Sequence, residues 1–148
     1  FFQKQKEDFF RSVTALGDAW FYFTLVLILF ALGKTNFATE LIIGFFVIYF
    51  TAIIIRVFYF KNRPNKEKYN TLVERIDASS FPSVHSARVV FVGLTFAKFL
   101  DSLQINLILF AIAAIVCYSR IAIKKHYWTD VIAGIILGII TFLTINYF

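Results

Sequence analysis

The sequence predicts an all-α fold, a polytopic transmembrane helix bundle of about five spans preceded by an amphipathic helix. Three observations predict it. Of 148 residues, 59% are hydrophobic and 20% aromatic, with a mean hydropathy of +0.75; soluble domains are roughly 45–50% apolar. Charged residues make up only 16% and are clustered, which leaves long apolar runs between them. Those runs do not alternate apolar with polar residues, as the strands of a membrane barrel do. The composition excludes disordered, collagen-like and disulfide-stapled chains. Cys117, the one cysteine, has no partner for an internal bridge. The length fits a single domain over residues 1–148.

The elements follow in order. Phe1, Phe2, Phe9 and Phe10 flank a charged middle, so residues 1–12 read as a helix lying in the membrane interface. No small-residue cleavage pattern follows the first apolar run, so no secretory signal is expected. A helix crosses the hydrocarbon core with about 20 mostly apolar residues. Five stretches approach that length: Val13 to Gly33, Ala38 to Phe60, Ser83 to Leu100, Ile105 to Ile123, and Tyr127 to Phe148. Gly134 and Gly138 form a G-x3-G in the last, a pattern that permits close helix packing, expected here within the monomer.

Five spans place the termini on opposite sides. One side carries the N-terminus, residues 61–82 and residues 119–126. Of 15 Lys and Arg, only Lys34 and Lys98 fall on the other side. Trp20, Tyr22, Tyr127 and Trp128 lie near the basic side, as an aromatic belt would. Connections on the far side are short, so chemistry is expected on the basic side. No nucleic-acid partner is expected; the partner that the composition implies is the bilayer.

Three fragments there carry chemistry: Arg56 with Arg63-Pro64, then Pro82-Ser83-Val84-His85, then Ser119-Arg120 with His126 and Asp130. Both histidines of the chain fall inside them. His126 and Asp130 are spaced i, i+4 at a helix start and share a face. A carboxylate so placed can hold an imidazole in one tautomer. Arg120 offers a planar fork of donors for phosphate oxygens, and Ser119 adds a hydroxyl. Ser83 can cap the third span, whose free N–H groups favour an anion. Arg88, one turn beyond His85, reads either as a further phosphate ligand or as a buried ion-pair partner. Lys61, Lys66, Lys68, Arg75, Lys124 and Lys125 read as a solvated charge set at the lipid surface or, alternatively, as a grip on a second phosphate.

These fragments resemble the signature of the type 2 phosphatidic acid phosphatase family, K-x6-R-P, P-S-G-H and S-R-x5-H-x3-D. The third motif matches throughout; Arg56 stands for the Lys of the first, and Val84 for the Gly of the second. The motif region spans about residues 56–130, and the flanking spans match as apolar helices only. The resemblance implies a metal-independent lipid phosphatase with no cofactor. His126 would attack phosphorus to form a phosphohistidine, Asp130 would orient it, and His85 would protonate the leaving oxygen. Arg56, Arg63, Ser83, Val84, Ser119 and Arg120 would hold the phosphate, with arginine charge doing the work of a metal. Arg for Lys keeps the charge and changes the donor geometry. Val84 keeps its N–H and would weaken the cradle only if the backbone there needs a positive φ. The family usually has six spans, and here the N-terminal amphipathic segment stands in place of the first.

Within that resemblance the candidate substrates are phosphatidylglycerol phosphate, undecaprenyl diphosphate and the 1-phosphate of lipid A. The extra cations favour a head group with several phosphates, hence lipid A. A phosphotransferase would use the same phosphohistidine; a non-enzymatic binder of anionic lipid would leave the two histidines unexplained. The basic bias alone would put the site in the cytoplasm. The resemblance implies the periplasmic face of the bacterial inner membrane, and cations selected for phosphate account for the bias.

Overall fold

The computed structural model describes residues 2–147, with the side chains of Phe2, Gln3 and Lys6 left aside. The readings at Phe1, at the Phe2 side chain and at Phe148 lie outside it. Every regular element among the described residues is helical. The chain runs through α1 (Phe2–Thr14), one 3-10 turn (Ala15–Gly17), α2 (Ala19–Ala31), α3 (Thr35–Phe58), α4 (Leu72–Ala78), α5 (Val84–Leu100), α6 (Leu103–Ala122) and α7 (Trp128–Tyr147).

The N-terminal amphipathic helix is present as α1. It lies along α6, with Phe10 edge-on to Tyr118 at 5.6 Å and Val13 packed on the cluster around Val116 and Cys117. The span expected from Val13 is broken. The chain bends by 45° at Gly17-Asp18, and α2 begins only after Asp18. Its 13 residues reach about 20 Å, short of a hydrocarbon core of about 30 Å. Polar Asp18 at the N-cap and Gly17 at the bend interrupt the apolar run. Gly33, at φ +72, then ends α2 in the left-handed conformation that only glycine adopts freely.

By length and composition α3, α6 and α7 can cross a membrane, and the bent α1–α2 pair can count as a fourth span. The expected third span is α5. At 17 residues, with Arg88 and Lys98 inside it, it falls just short of that standard. It is instead the central helix, packed against α3, α6 and α7. Its small residues allow this: Ala87 is fully buried, and Ser83 and Ala87 accept the two glycines of α7. The reading of Gly134 and Gly138 as an internal packing face therefore stands.

Phe91 of α5 presses its ring onto Gly44 of α3 and anchors a core with Leu41, Ile48, Val26 and Leu29. Tyr22 belongs to this core rather than to an aromatic belt; it is buried and donates its hydroxyl to the Leu41 carbonyl at 2.6 Å. Large apolar side chains face outward instead: Phe50 and Ile54 of α3, Leu107 and Ile108 of α6, Ile132 and Ile136 of α7. So much exposed apolar surface is stable in lipid, not in water. At one end Lys34 lies over Phe99 and Lys98 pairs with Glu40 at 3.8 Å. Arg56, Lys61, Arg63, Arg120 and Lys125 collect toward the opposite end, where α3 stops and α5 and α7 start.

Candidate active site

A polar cavity of about 120 Å³ opens at that basic end. Arg56, Arg63, Arg88, Arg120, His85 and His126 line it, together with Val84, Tyr49 and Asp77. All three sequence fragments thus meet, because the ends of α3 and α6 and the start of α5 converge there.

His126 sits in the reversal between α6 and α7, where its N–H and that of Lys125 both donate to the Arg120 carbonyl at 3.1 Å. The side chain is buried. Nδ1 lies 2.7 Å from the Ser80 carbonyl. A carbonyl only accepts, so Nδ1 carries the proton and Nε2 keeps its lone pair. Burial holds the imidazole neutral, reinforced by the positive charge of Arg120 and Arg63 and opposed by the Ser80 carbonyl and Asp130, and its pKa falls to about 3. A neutral ring with a free lone pair is the state a nucleophile needs.

Asp130 does not hold His126 in the way expected. Its Oδ2 is 3.9 Å from Nδ1, beyond hydrogen-bond range. It accepts instead from the Tyr127 N–H at 2.9 Å, capping α7, and from the Lys61 ammonium at 2.5 Å. The Ser80 carbonyl fixes the ring, and Asp130 contributes charge and the helix start. Lys61, read as a solvated cation, is the partner of this wholly buried carboxylate.

His85 occupies the first turn of α5 and points its Nε2 at Asp18 Oδ1, 2.7 Å away. Asp18 was absent from the expected site. The Gly-Asp step before an apolar run was visible as a helix start, but nothing local links it to His85.

The arginines differ in how they are held. Arg56 donates to the Pro82 carbonyl at 3.0 Å. Arg63 pairs with Glu67 at 2.6 Å and donates to the Asp77 carbonyl at 2.7 Å. Arg120 donates to the Thr14 hydroxyl at 2.7 Å. Glu67 also takes Lys125 at 2.5 Å. Burial would raise the Glu67 carboxyl, but the hydrogen bonds and charges of Lys125 and Arg63 outweigh it and hold the carboxyl below its ordinary value. Arg56, Arg63, Arg88 and Arg120 all leave a buried Nε without an acceptor. Four guanidinium groups with donors to spare around one cavity make an anion site.

Two expected phosphate ligands are turned elsewhere. The Ser119 hydroxyl donates to the Val116 carbonyl at 2.6 Å inside its own helix and does not line the cavity. The Ser83 hydroxyl accepts from the Ser86 hydroxyl at 2.9 Å and caps α5, while its N–H donates to the Asp130 carbonyl at 3.0 Å. Val84 does line the cavity. It is not among the positive-φ residues, so the backbone makes no demand for glycine, and its first-turn N–H has no intrahelical acceptor. No group of three or more His, Cys, Asp or Glu among the described residues is placed to hold a metal ion.

The PAP2 superfamily model matches residues 45–148. The chain belongs to the PAP2 superfamily. No curated protein sequence matches it significantly. Among solved structures it is similar to Aquifex aeolicus LpxE, with TM-score 0.81 and 27% identity over 97% of this chain and 87% of that one. It is also similar in fold to the first transmembrane PAP2 type phosphatidylglycerolphosphate phosphatase from Bacillus subtilis, with TM-score 0.77 and 22% identity over 96% of this chain and 75% of that one. The PAP2 match begins within α3, so Asp18 lies outside it. The fold likeness covers nearly the whole chain, including the bent N-terminal pair.

Proposed function

We propose that this PAP2 protein is a lipid phosphatase working through a phosphohistidine, with no metal and no cofactor. One observation carries the reading: two imidazoles share a small cavity with four guanidinium groups that have unpaired donors. A phosphate monoester supplies the missing acceptors of three of them, Arg56, Arg63 and Arg120. His126 Nε2 attacks phosphorus as the bond to the lipid oxygen breaks, and His85 gives that oxygen a proton. Arg56, Arg63 and Arg120, with the Val84 N–H, hold the charge that grows on the equatorial oxygens. Water then attacks the phosphohistidine, His85 takes its proton, and orthophosphate leaves. Asp18 positions His85, as the Ser80 carbonyl positions His126; Asp130 and Lys61 hold the start of α7.

The proposed substrate is the 1-phosphate of lipid A, because cations beyond the inner arginines suit a head group with several phosphates. Phosphatidylglycerophosphate and undecaprenyl diphosphate are the alternatives. Phosphate release by purified protein from the three lipids ranks them. Acid-labile labelling of the protein by a radiolabelled lipid phosphate, lost in His126→Ala, tests the intermediate. A phosphorylated alcohol in place of free phosphate would make the protein a transferase.

We place the site on the periplasmic face of a bacterial inner membrane. Asn70 is exposed in the basic loop and Cys117 is buried. A cysteine introduced by Asn70→Cys in a Cys117→Ser background should react with an impermeant thiol reagent in intact cells. Labelling only after lysis would put the site in the cytoplasm.

A further inference from the structure

Arg88 stands apart from the other three arginines. It is only 6% exposed and lies within the central helix of a membrane protein. Arg56, Arg63 and Arg120 each reach a protein acceptor. Among the described residues Arg88 has no ion-pair partner, its Nε is buried without an acceptor, and its nearest aromatic support is the Phe45 ring at 5.8 Å. A buried charge without a partner is costly, and one within a membrane marks a ligand path.

Its position says which part of a ligand it meets. Besides the phosphate cavity, Arg88 lines a second, apolar cleft of about 260 Å³ between α2, α5 and α6. Leu16, Phe21 and Leu25 form one wall of the cleft, with Phe96, Leu109 and Ile112 opposite. Phe21 and Ile112 are also exposed, so the cleft opens on the lipid-facing surface. Gly17 lines it too, and a Cβ there would stand 3.1 Å from His85 Cδ2. The cleft therefore begins beside the proposed acid, where the alcohol departs. Its size, below that of pockets for drug-sized ligands, suits one aliphatic chain.

We infer that Arg88 is a specificity residue that donates to an oxygen acceptor of the leaving alcohol, such as an acyl carbonyl, where the lipid chain turns from the phosphate cavity into the α2–α5–α6 cleft. The inference rests on the phosphatase reading. It separates recognition of the transferred phosphoryl group, by Arg56, Arg63 and Arg120, from recognition of what is left behind.

The test is competitive inhibition of p-nitrophenyl phosphate hydrolysis by long-chain phosphatidic acid, dodecyl phosphate and orthophosphate, in wild type, Arg88→Met and Arg88→Lys. Phosphatidic acid carries acyl carbonyls, dodecyl phosphate a chain without them, and orthophosphate neither. In Arg88→Met the inhibition constant for phosphatidic acid should rise roughly ten- to hundredfold, the range for one lost charge-assisted hydrogen bond. Those for dodecyl phosphate and orthophosphate should stay within about threefold of wild type. Methionine removes an unpaired buried charge, so melting should not fall; if it does, Arg88→Lys keeps the charge and should show the same selective loss at smaller size. A parallel rise for orthophosphate would place Arg88 on the phosphoryl group and overturn the inference, as would unchanged constants for all three. Wild type that releases phosphate from neither the aryl ester nor any lipid phosphate overturns the phosphatase reading itself.

Discussion

Gly134→Ala should unseat the site without touching a proposed catalytic side chain. A Cβ at Gly134 would stand 2.3 Å from the Ser83 carbonyl oxygen and 3.0 Å from Ser86 Cβ. Ordinary contact needs about 3.5 Å, so α7 has to move off α5 by about 1 Å; the obstacle is backbone and cannot rotate away. Overpacking of this kind costs about 1–3 kcal/mol, which for a chain of this size lowers Tm by roughly 3–10 °C. The wedge sits where Ser83 N–H meets the Asp130 carbonyl, between the helix carrying His85 and the loop carrying His126. A displacement of about 1 Å between reacting groups costs about 10²-fold in rate. Gly138→Ala is the control: its Cβ would meet the Ala87 carbonyl at 2.5 Å, a similar overlap one turn further from the site. Melting in detergent and lipid phosphate turnover would be measured on both. Gly138→Ala should lose comparable stability and less than about tenfold of the activity. Full activity and unchanged melting in Gly134→Ala, or equal activity losses in the two variants, would refute the argument.

His126→Ala should abolish turnover of lipid phosphate and p-nitrophenyl phosphate alike, whereas His85→Ala should lose roughly 10²–10⁴-fold on the lipid and much less on the aryl ester, whose leaving group needs no proton; equal losses in the two variants on both substrates with no burst, or a His85 variant unable to form the phosphoenzyme, would refute this assignment of roles. Asp18→Asn should show the same leaving-group dependence at roughly five- to tenfold, since the 2.7 Å bond to His85 is charge-assisted but about half exposed on the Asp18 side; an equal loss on both esters would make Asp18 merely structural. With arginines carrying the phosphoryl charge, activity should survive excess EDTA and be inhibited by vanadate; loss on chelation restored by Mg²⁺ would sink the mechanism. His126, depressed from 6.5 to about 3 on folding, binds its proton first in the unfolded chain. Its contribution to stability is therefore complete above pH 6.5 and is lost as pH falls toward 3, with a limiting slope of about 1.4 kcal/mol per pH unit. Denaturant melts of His126→Asn should lose stability less steeply than wild type over that window, by about this slope, and parallel pH profiles would contradict it.

The apolar runs, their lack of alternation and the basic ends determined the helical membrane bundle by themselves, because hydrophobic period and charge placement are local properties of a chain. The three fragments were equally legible: their residues lie at helix ends, and the order of spans brings those ends to one side. The motif order also gave Arg56, Arg63, His85, Arg120 and His126 as one site. Span number was less legible, because the bend at Gly17-Asp18 and the central burial of short α5 depend on which helix packs where. The partner of each histidine was settled only in three dimensions. His126 is held by a backbone carbonyl, Ser80, 46 residues away, and a carbonyl has no signature in sequence since every residue carries one. His85 meets Asp18 across 67 residues, through the docking of α2 against α5. Spacing put Asp130 on the face of His126, yet the carboxylate turned to the Tyr127 amide and Lys61. Ser119 has motif spacing and still donates into its own helix, since a buried hydroxyl takes the nearest acceptor. Sequence determined which groups gather at the basic end; side-chain direction and hydrogen-bond competition, set by helix packing, decided what each one holds.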